Sequence, residues 1–479
     1  MSRRVLCFDL GASSGRAILA ELDGGKLILR EIHRFKNRGV PVCGTLYWDV
    51  LALLGEIRTG LKKAAKAGGF ESVGIDTWGV DYGILDKDGD LIRLPVQYRD
   101  GRTAGMIKKA EQRISREKLY SLTGNQLMEI NTAFQLLAEK DYVLDNGAAL
   151  LNIPDLLGYY LTGEISSEES IASTTQLYDP AGRCWSEEAI SALGLPQSIF
   201  GKLVRAGGSK GRLRPELCHE LDIPSAEVIA VCGHDTQCAS FAAPALEKDF
   251  IFLSSGTWSL LGTVTGKPFL TPEAAALELT NEVGFGGRIN LLKNITGLWI
   301  VQEIKAFLES RGQELSFEEL ADAAREAADF PSYIDPDDAV FGSAGDMPER
   351  VKDYCRRTGQ AVPENLGQVM QAVYLGLARK YKLALEQISR LTGKTYSRIY
   401  MVGGGTQDRY LCQLTADVCG IPVTAGPVEA TVIGNAAIQL LILGALSSAE
   451  EIPSLIRSSF ELAEYGPESA DINHSEKEF

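Results

Sequence analysis

The sequence predicts an α/β protein of two domains, on three observations. A chain of 479 residues exceeds what one hydrophobic core fills, since cores stop growing at about 250–300 residues. Runs with strand periodicity alternate with runs of helical periodicity. A strand, a turn of small residues and a second strand open each half, at residues 5–22 and again at 250–264.

The elements follow in order. Residues 5–10, 17–22 and 26–35 read as strands separated by the small-residue turn 11–15 and by Asp23-Gly24-Gly25, an antiparallel meander. Asp49 then caps a helix with Leu51, Leu54, Ile57, Leu61 and Ala65 on its period, ended by Gly68-Gly69. A strand at 72–77 follows. Residues 116–122, 133–143 and 155–161 predict helices, the last two bounded by Asn146-Gly147 and Thr162-Gly163. An apolar strand, 227–233, runs into His234-Asp235-Thr236 and an Ala-rich stretch ending at Ala245. The boundary is placed there, giving an N-terminal domain over 1–242 and a C-terminal domain over 243–479.

In the second half the opening logic recurs, with a strand at 250–253, the turn Ser254-Ser255-Gly256-Thr257 and a strand at 258–264, a weak internal repeat. A long helix, 366–391, carries Val369, Val373, Leu377, Leu385 and Ile388 near one face and stops at Gly393 in the C-cap position. Strand 398–402 meets Gly403-Gly404-Gly405. From Glu461 onward the tail has little to bury and is expected to fray.

Composition narrows the function classes. With 45% hydrophobic and 23% charged residues the chain has the balance of a soluble globular protein. Forty-eight basic against 63 acidic residues give a formal charge of −15, a field that repels polyanions and argues against nucleic-acid binding. The nine cysteines form no C-x-x-C pair, which suggests neither zinc nor a disulfide framework but reduced thiols in a cytoplasm. The short apolar start contains Asp9, and the longest near-apolar run, 436–446, contains Gln439 and is too short to cross a bilayer. A cytoplasmic protein without membrane partners is expected, and the sequence sets no oligomeric state.

Four stretches carry chemistry. In DLGASSGR, residues 9–16, an acidic residue ends a strand and the small residues beyond it let backbone N–H groups close around phosphate, while the carboxylate suits hydrated Mg²⁺. An ordinary hairpin has the same composition, and the P-loop pattern G-x-x-x-x-G-K-[ST] is absent. LSSGTWSLLGT, 253–263, repeats the unit, and two such hairpins point to a nucleotide between them. YMVGGGTQD, 400–408, brings a strand to three glycines that let backbone approach a flat or anionic ligand. In CGHDTQCAS, 232–240, Asp235 stands at a helix start, where it serves either as an N-cap or as the base that takes a proton from a hydroxyl attacking a γ-phosphate.

Residues 9–16, 253–261 and 402–407 resemble the phosphate-1, phosphate-2 and adenosine motifs of the actin-like ATPase fold, and in detail those of the FGGY carbohydrate kinases. GIDTWGVDYGILD (74–86), LPVQYRDGRT (94–103), HDT (234–236), SSGTWSL (254–260), LKNITGLW ending at Trp299 and GPVEAT (426–431) extend the resemblance over nearly the whole chain. It implies two actin-like (ribonuclease H-like) domains, each a mixed five-stranded sheet flanked by helices, with the active site in the cleft between them. The implied reaction uses ATP and Mg²⁺ to phosphorylate L-rhamnulose at O1. Xylulose, fuculose or ribulose are the alternative ketoses, and a non-catalytic ATP or sugar sensor is the alternative of another class.

Carried over residue by residue, the resemblance makes Asp235 the proton acceptor and sets Gly79, His234, Asp235, Thr236 and Asn294 around the ketose. It assigns nucleotide contacts to Ala12, Ser13, Ser14, Gly15, Arg16, Thr257, Gln302 and Gly404, and the water shell of Mg²⁺ to Asp9. Trp78, Tyr98 and Trp299 either stack on sugar or pack in cores, with core packing favoured for Trp299. Val283 stands where the family usually has Gly, which questions the backbone route after Thr280-Asn281-Glu282. Asn435 replaces the small apolar residue of many FGGY kinases.

Overall fold

The computed structural model describes residues 2–468. Strands β1 (Arg3–Leu10), β2 (Ser14–Asp23) and β3 (Lys26–Lys36) form the antiparallel meander read from the sequence. After helix α1 (Val50–Lys66), β4 (Ser72–Thr77) joins β1 in parallel. Further on, β5 (Ser209–Arg212) pairs antiparallel with β6 (Glu227–Ile229), which lies parallel to β4. The sheet order is β5-β6-β4-β1-β2-β3. Helix α2 (Asp235–Phe241) follows directly.

The second sheet repeats this plan. Strands β7 (Ile251–Ser255) and β8 (Trp258–Thr265) form its hairpin, β9 (Thr280–Val283) and β10 (Ile289–Thr296) follow, and helix α3 (Leu366–Thr392) leads to β11 (Ile399–Val402) and β12 (Val423–Ala425). Helix α4 (Ala430–Ile442) and strand β13 (Ala463–Tyr465) complete the set. The order is β9-β10-β8-β7-β11-β12-β13. The arrangement β3-β2-β1-β4-β6 in one sheet matches β10-β8-β7-β11-β12 in the other, so the five expected strands are present in each and edge strands widen the sheets to six and seven. Among the described residues no helix is long and apolar enough to cross a membrane.

Local details depart from expectation for identifiable reasons. Asp49 caps α1 by accepting from the Ala52 N–H at 2.9 Å. The buried face, however, is Val50, Leu53, Ile57, Gly60, Leu61 and Ala64, with Leu51 61% exposed. At Gly60 the helix comes close to the sheet, since a Cβ there would lie 2.6 Å from the Phe8 ring, while Leu54 and Ala65 pack against the same core at its margin. The helix expected over 133–143 is two, Thr132–Leu137 and Asp141–Asp145. Between them the Glu139 carboxylate is drawn to Arg93 at 2.7 Å and Arg102 at 2.9 Å and accepts from the Lys140 N–H, which favours a turn over a continued helix. Gly393 ends α3 in the left-handed conformation at φ 66°. Part of the tail expected to fray is ordered, because β13 pairs with β12; its end, 469–479, lies outside the described residues.

The chain forms two compact units without a single cut. Of the described residues, 2–242, 265–291 and 430–459 make the first, and 243–264, 292–429 and 460–468 the second. Helix α4 thus belongs to the first unit, where Gln439 donates to the Leu6 carbonyl at 3.2 Å and accepts from Ser72 Oγ at 2.7 Å.

Candidate active site

In the first unit three parallel strand ends bring three aspartates together. Asp9 and Asp76 are register partners on β1 and β4. The Thr77 N–H donates to the Gly233 carbonyl at 2.9 Å, and Thr77 pairs with His234, which sets Asp235 beside them. Carboxyl ends of neighbouring parallel strands are where open α/β sheets bind ligands. Asp9 accepts from Arg16 Nη2 at 2.6 Å. Asp76 is fully buried; its Oδ2 accepts from Asn435 Nδ2 at 2.6 Å and its Oδ1 has no partner. Burial first, then the nearby Asp9 and Asp235, push its carboxyl well above the usual range against the Asn435 bond.

Asp235 is the first residue of α2, and the N-cap position expected for it belongs to His234. Its Oδ1 accepts from the Thr236 N–H at 2.5 Å and from Thr236 Oγ1 at 3.2 Å, which leaves Oδ2 open to a substrate proton. Its side chain keeps 30% of its surface exposed. Burial and Asp9 raise its pKa, while His234 opposes them. His234 is buried, with Nδ1 2.9 Å from Glu282 Oε2 and Nε2 3.5 Å from Asp235 Oδ1. Burial disfavours its protonated form, yet Glu282 and Asp235 outweigh burial and raise its pKa. The loop before it is tied down because Gly233 N–H donates to Glu168 Oε2 at 2.8 Å and His234 N–H to Ser170 Oγ at 3.3 Å. Burial pushes Glu168 up to about 7.

Gly79 follows β4 in a strained turn. Val80 sits at φ 68°, unfavourable for a β-branched residue, and the Asp81 N–H closes back on the Gly79 carbonyl at 2.9 Å. Thr132 Oγ1 donates to the Val80 carbonyl at 2.5 Å and the Val80 N–H donates to Thr174 Oγ1 at 3.1 Å. Asp81 collects the indole N–H groups of Trp48 at 2.6 Å and Trp78 at 2.9 Å, the Tyr98 N–H at 3.2 Å and Gln135 at 2.8 Å. Burial pushes Asp81 up to about 6 despite these donors. Trp78 packs on Trp48 with centroids 4.3 Å apart, and Trp78 and Tyr98 belong to the core. Trp299 donates its indole N–H to the Phe341 carbonyl at 3.1 Å.

The first hairpin turn is narrow. Gly11 N–H donates to the Ser14 carbonyl at 2.9 Å, and Asn37 pins the loop through the Gly11 and Ser13 carbonyls. Ala12, Ser13 and Ser14 remain accessible, while a Cβ on Gly15 would fall 2.3 Å from the Phe35 ring. In the second unit the Gly256-Thr257 turn is strapped to the helix Trp299–Ser310 by the Leu298 N–H donating to the Gly256 carbonyl at 2.9 Å and by Thr257 Oγ1 donating to Gln302 Oε1 at 3.3 Å. Gly403 and Gly405 press on Ser255, where Cβ atoms would lie 2.9 Å from its carbonyl oxygen and 2.0 Å from its Oγ. Gly404 faces open space. A cavity of 1030 Å³ is lined by Gly256, Gln302, Gly404 and Tyr410 among others. Asn294, on β10, also belongs to the second unit, whereas Gly79, His234, Asp235 and Thr236 belong to the first.

Models of the FGGY family of carbohydrate kinases match twice, the N-terminal domain over residues 4–242 and the C-terminal domain over 251–443. The chain belongs to the FGGY family of carbohydrate kinases. As an FGGY kinase it is an enzyme with a sugar and ATP as substrates. It is 41% identical to a rhamnulokinase of Bacteroides thetaiotaomicron over 98% of this chain and 96% of that one, and 37% identical to one of Bacillus subtilis over 97% and 95%. Its fold is that of a xylulose kinase from Lactobacillus acidophilus, with a TM-score of 0.81 at 15% identity over 97% of this chain and 94% of that one. This is the two-domain, actin-like architecture of the FGGY kinases.

Sequence reasoning missed Asp76, Asp81, Glu168 and Glu282 as parts of this constellation. Asp76 and Asp81 lie inside the 74–86 stretch quoted for resemblance, and a buried carboxylate beside a strand end was the available signal. Val283 causes no detour, since it is a buried strand residue whose N–H donates to Ser173 Oγ at 3.0 Å. Asn435 has a partner that a small apolar residue would lack, the Asp76 carboxylate. Among the described residues no group of three or more His, Cys, Asp or Glu is placed to hold a metal directly.

Proposed function

We propose that the enzyme transfers the γ-phosphoryl group of ATP to O1 of L-rhamnulose. The carrying observation is the match to relatives named rhamnulokinase along nearly the full length of both chains, and the open Oδ2 of Asp235 supports it chemically. In this reading the sugar hydroxyl donates to Asp235 Oδ2, loses its proton there as it attacks, and the carboxylate needs little basicity because the transition state is loose. Gly79, His234, Thr236 and Asn294 orient the ketose. Ala12 to Arg16 on the first hairpin and Thr257, Gln302 and Gly404 around the second hold the nucleotide. Residues 1–242 are read as the sugar- and phosphate-binding domain and 243–479 as the nucleotide-binding domain.

Mg²⁺, when bound, neutralises the β- and γ-phosphate oxygens. Asp9, a single carboxylate paired with Arg16, fits contact through water better than direct coordination, as is usual for a cation that keeps much of its hydration shell.

The test is single-turnover phosphorylation by Asp235→Asn, with a melting curve. The amide still accepts from Thr236, so folding should persist, and loss of a charge whose ionised form the fold disfavours should not lower stability. The rate should fall by about 10²–10⁴. Near wild-type turnover would remove Asp235 from the mechanism. Across a ketose panel L-rhamnulose should give the highest kcat/KM; a clear preference for xylulose or ribulose would overturn the substrate, and ATP binding without sugar-dependent ADP release would favour a sensor.

A further inference from the structure

Three side chains form a line that the reaction as described leaves unexplained: Glu282, His234 and Asp235. Glu282 comes from β9, far from α2 in sequence, and its Oε2 receives both Gln237 Nε2 at 2.6 Å and the His234 ring at 2.9 Å. On the opposite ring nitrogen stands Asp235 Oδ1 at 3.5 Å. An imidazole between two carboxylates is electrostatically matched only when both nitrogens carry protons. Glu168, from the segment before Ser170, adds to the negative field on the ring, while Asp9 on β1 and Asp76 on β4 act on Asp235.

We propose that Glu282 is a positioning residue for phosphoryl transfer, holding the His234 ring doubly protonated so that Nε2–H faces Asp235 Oδ1 and keeps Oδ2 toward the sugar hydroxyl. This rests on the reading of Asp235 as the base. When His234 loses its second proton, a lone pair faces Asp235 Oδ1, two acceptors oppose each other and the hold on Oδ1 that His234 shares with Thr236 weakens. Activity therefore falls on an alkaline limb that belongs to His234.

Glu282→Gln separates charge from shape, because the amide oxygen can still accept from His234 and Gln237. The limb in kcat/KM for the ketose should move to lower pH by about 1–3 units, the size of a nearby opposite charge. ATP affinity by calorimetry should not change. A limb at the wild-type position overturns the proposal.

A second measurement uses the wild-type protein and needs no folded Glu282 variant. The chain has four histidines, and ring ¹⁵N resonances assigned by comparison with His234→Asn report each protonation state directly. His234 should remain doubly protonated at about pH 7.5, where an ordinary histidine of pKa about 6.5 is neutral. A neutral ring at that pH overturns the proposal. Neither result depends on the turnover of Asp235→Asn, whose failure would instead sink the base assignment.

Discussion

Replacing Gly434 by alanine should destabilise the enzyme even though alanine is the better helix former. Helix α4 crosses α2 so closely that a Cβ at Gly434 would lie 2.0 Å from the Cys238 carbonyl oxygen and 2.6 Å from its carbon. Both atoms are backbone and cannot rotate away, so ordinary contact requires the helices to separate by about 1.4 Å. Overpacking of this kind costs about 1–3 kcal/mol, and the rigid neighbour puts it at the top of that range. Helix propensity returns about 1 kcal/mol. The net loss of about 2 kcal/mol corresponds to a fall of about 3 °C in Tm for a unit of about 300 residues. Since α2 begins with Asp235, the same displacement moves the proposed base, and a misplacement near 1 Å costs about 10²-fold in rate. Calorimetric melting and a coupled ADP-release assay read the two effects. Nucleotide affinity should hold, because the cavity lined by Gly404 belongs to the other unit. A variant that melts higher than wild type with unchanged kcat would refute the close crossing.

Two further outcomes follow from the same contacts. A Cβ at Gly256 meets only the Trp258 carbonyl oxygen at 3.7 Å, so Gly256→Val should fold normally and lose ATP affinity by intruding on the cavity, with calorimetry showing sugar affinity unchanged; unaltered ATP affinity would remove this turn from the nucleotide site. Glu168, pushed up to about 7 by burial from a usual 4.5, favours the fold when protonated, so its contribution is complete below about pH 4.5 and is lost as pH rises through about 7. That loss is on the order of 3 kcal/mol. Chemical denaturation of Glu168→Gln, which keeps an acceptor for Gly233, should show a flatter pH dependence than wild type, and identical slopes would contradict it.

The two hairpins and the strand that runs into Asp235 were legible because small-residue turns between apolar runs leave a local signature. The face of α1 was legible at Leu54, Ile57, Leu61 and Ala65 but not at Leu51, because periodicity counts apolar side chains and Gly60, on the buried face, has none. The break near Glu139 was invisible for a different reason: what stops the helix is a carboxylate answering Arg93 and Arg102, and a long-range ion pair has no local pattern. The same holds in the site. Asp235 stood out beside His234, but Glu282 acquires its role only when β9 is brought against α2, and Asp76 only when α4 supplies Asn435.

The return of α4 to the first unit also sets a schedule for synthesis. When β6 and α2 have left the ribosome, the first sheet has all its strands, yet Ser72 and the Leu6 carbonyl still wait for Gln439. The intervening stretch, 243–429, takes roughly ten to forty seconds to translate at about 5–20 residues per second. During that interval an apolar face of the nascent protein has no cover, which makes it a natural client for chaperones. Premature termination before α4 would leave the first unit without that helix, so a truncation as late as residue 429 would cost the aspartate cluster its Asn435 support.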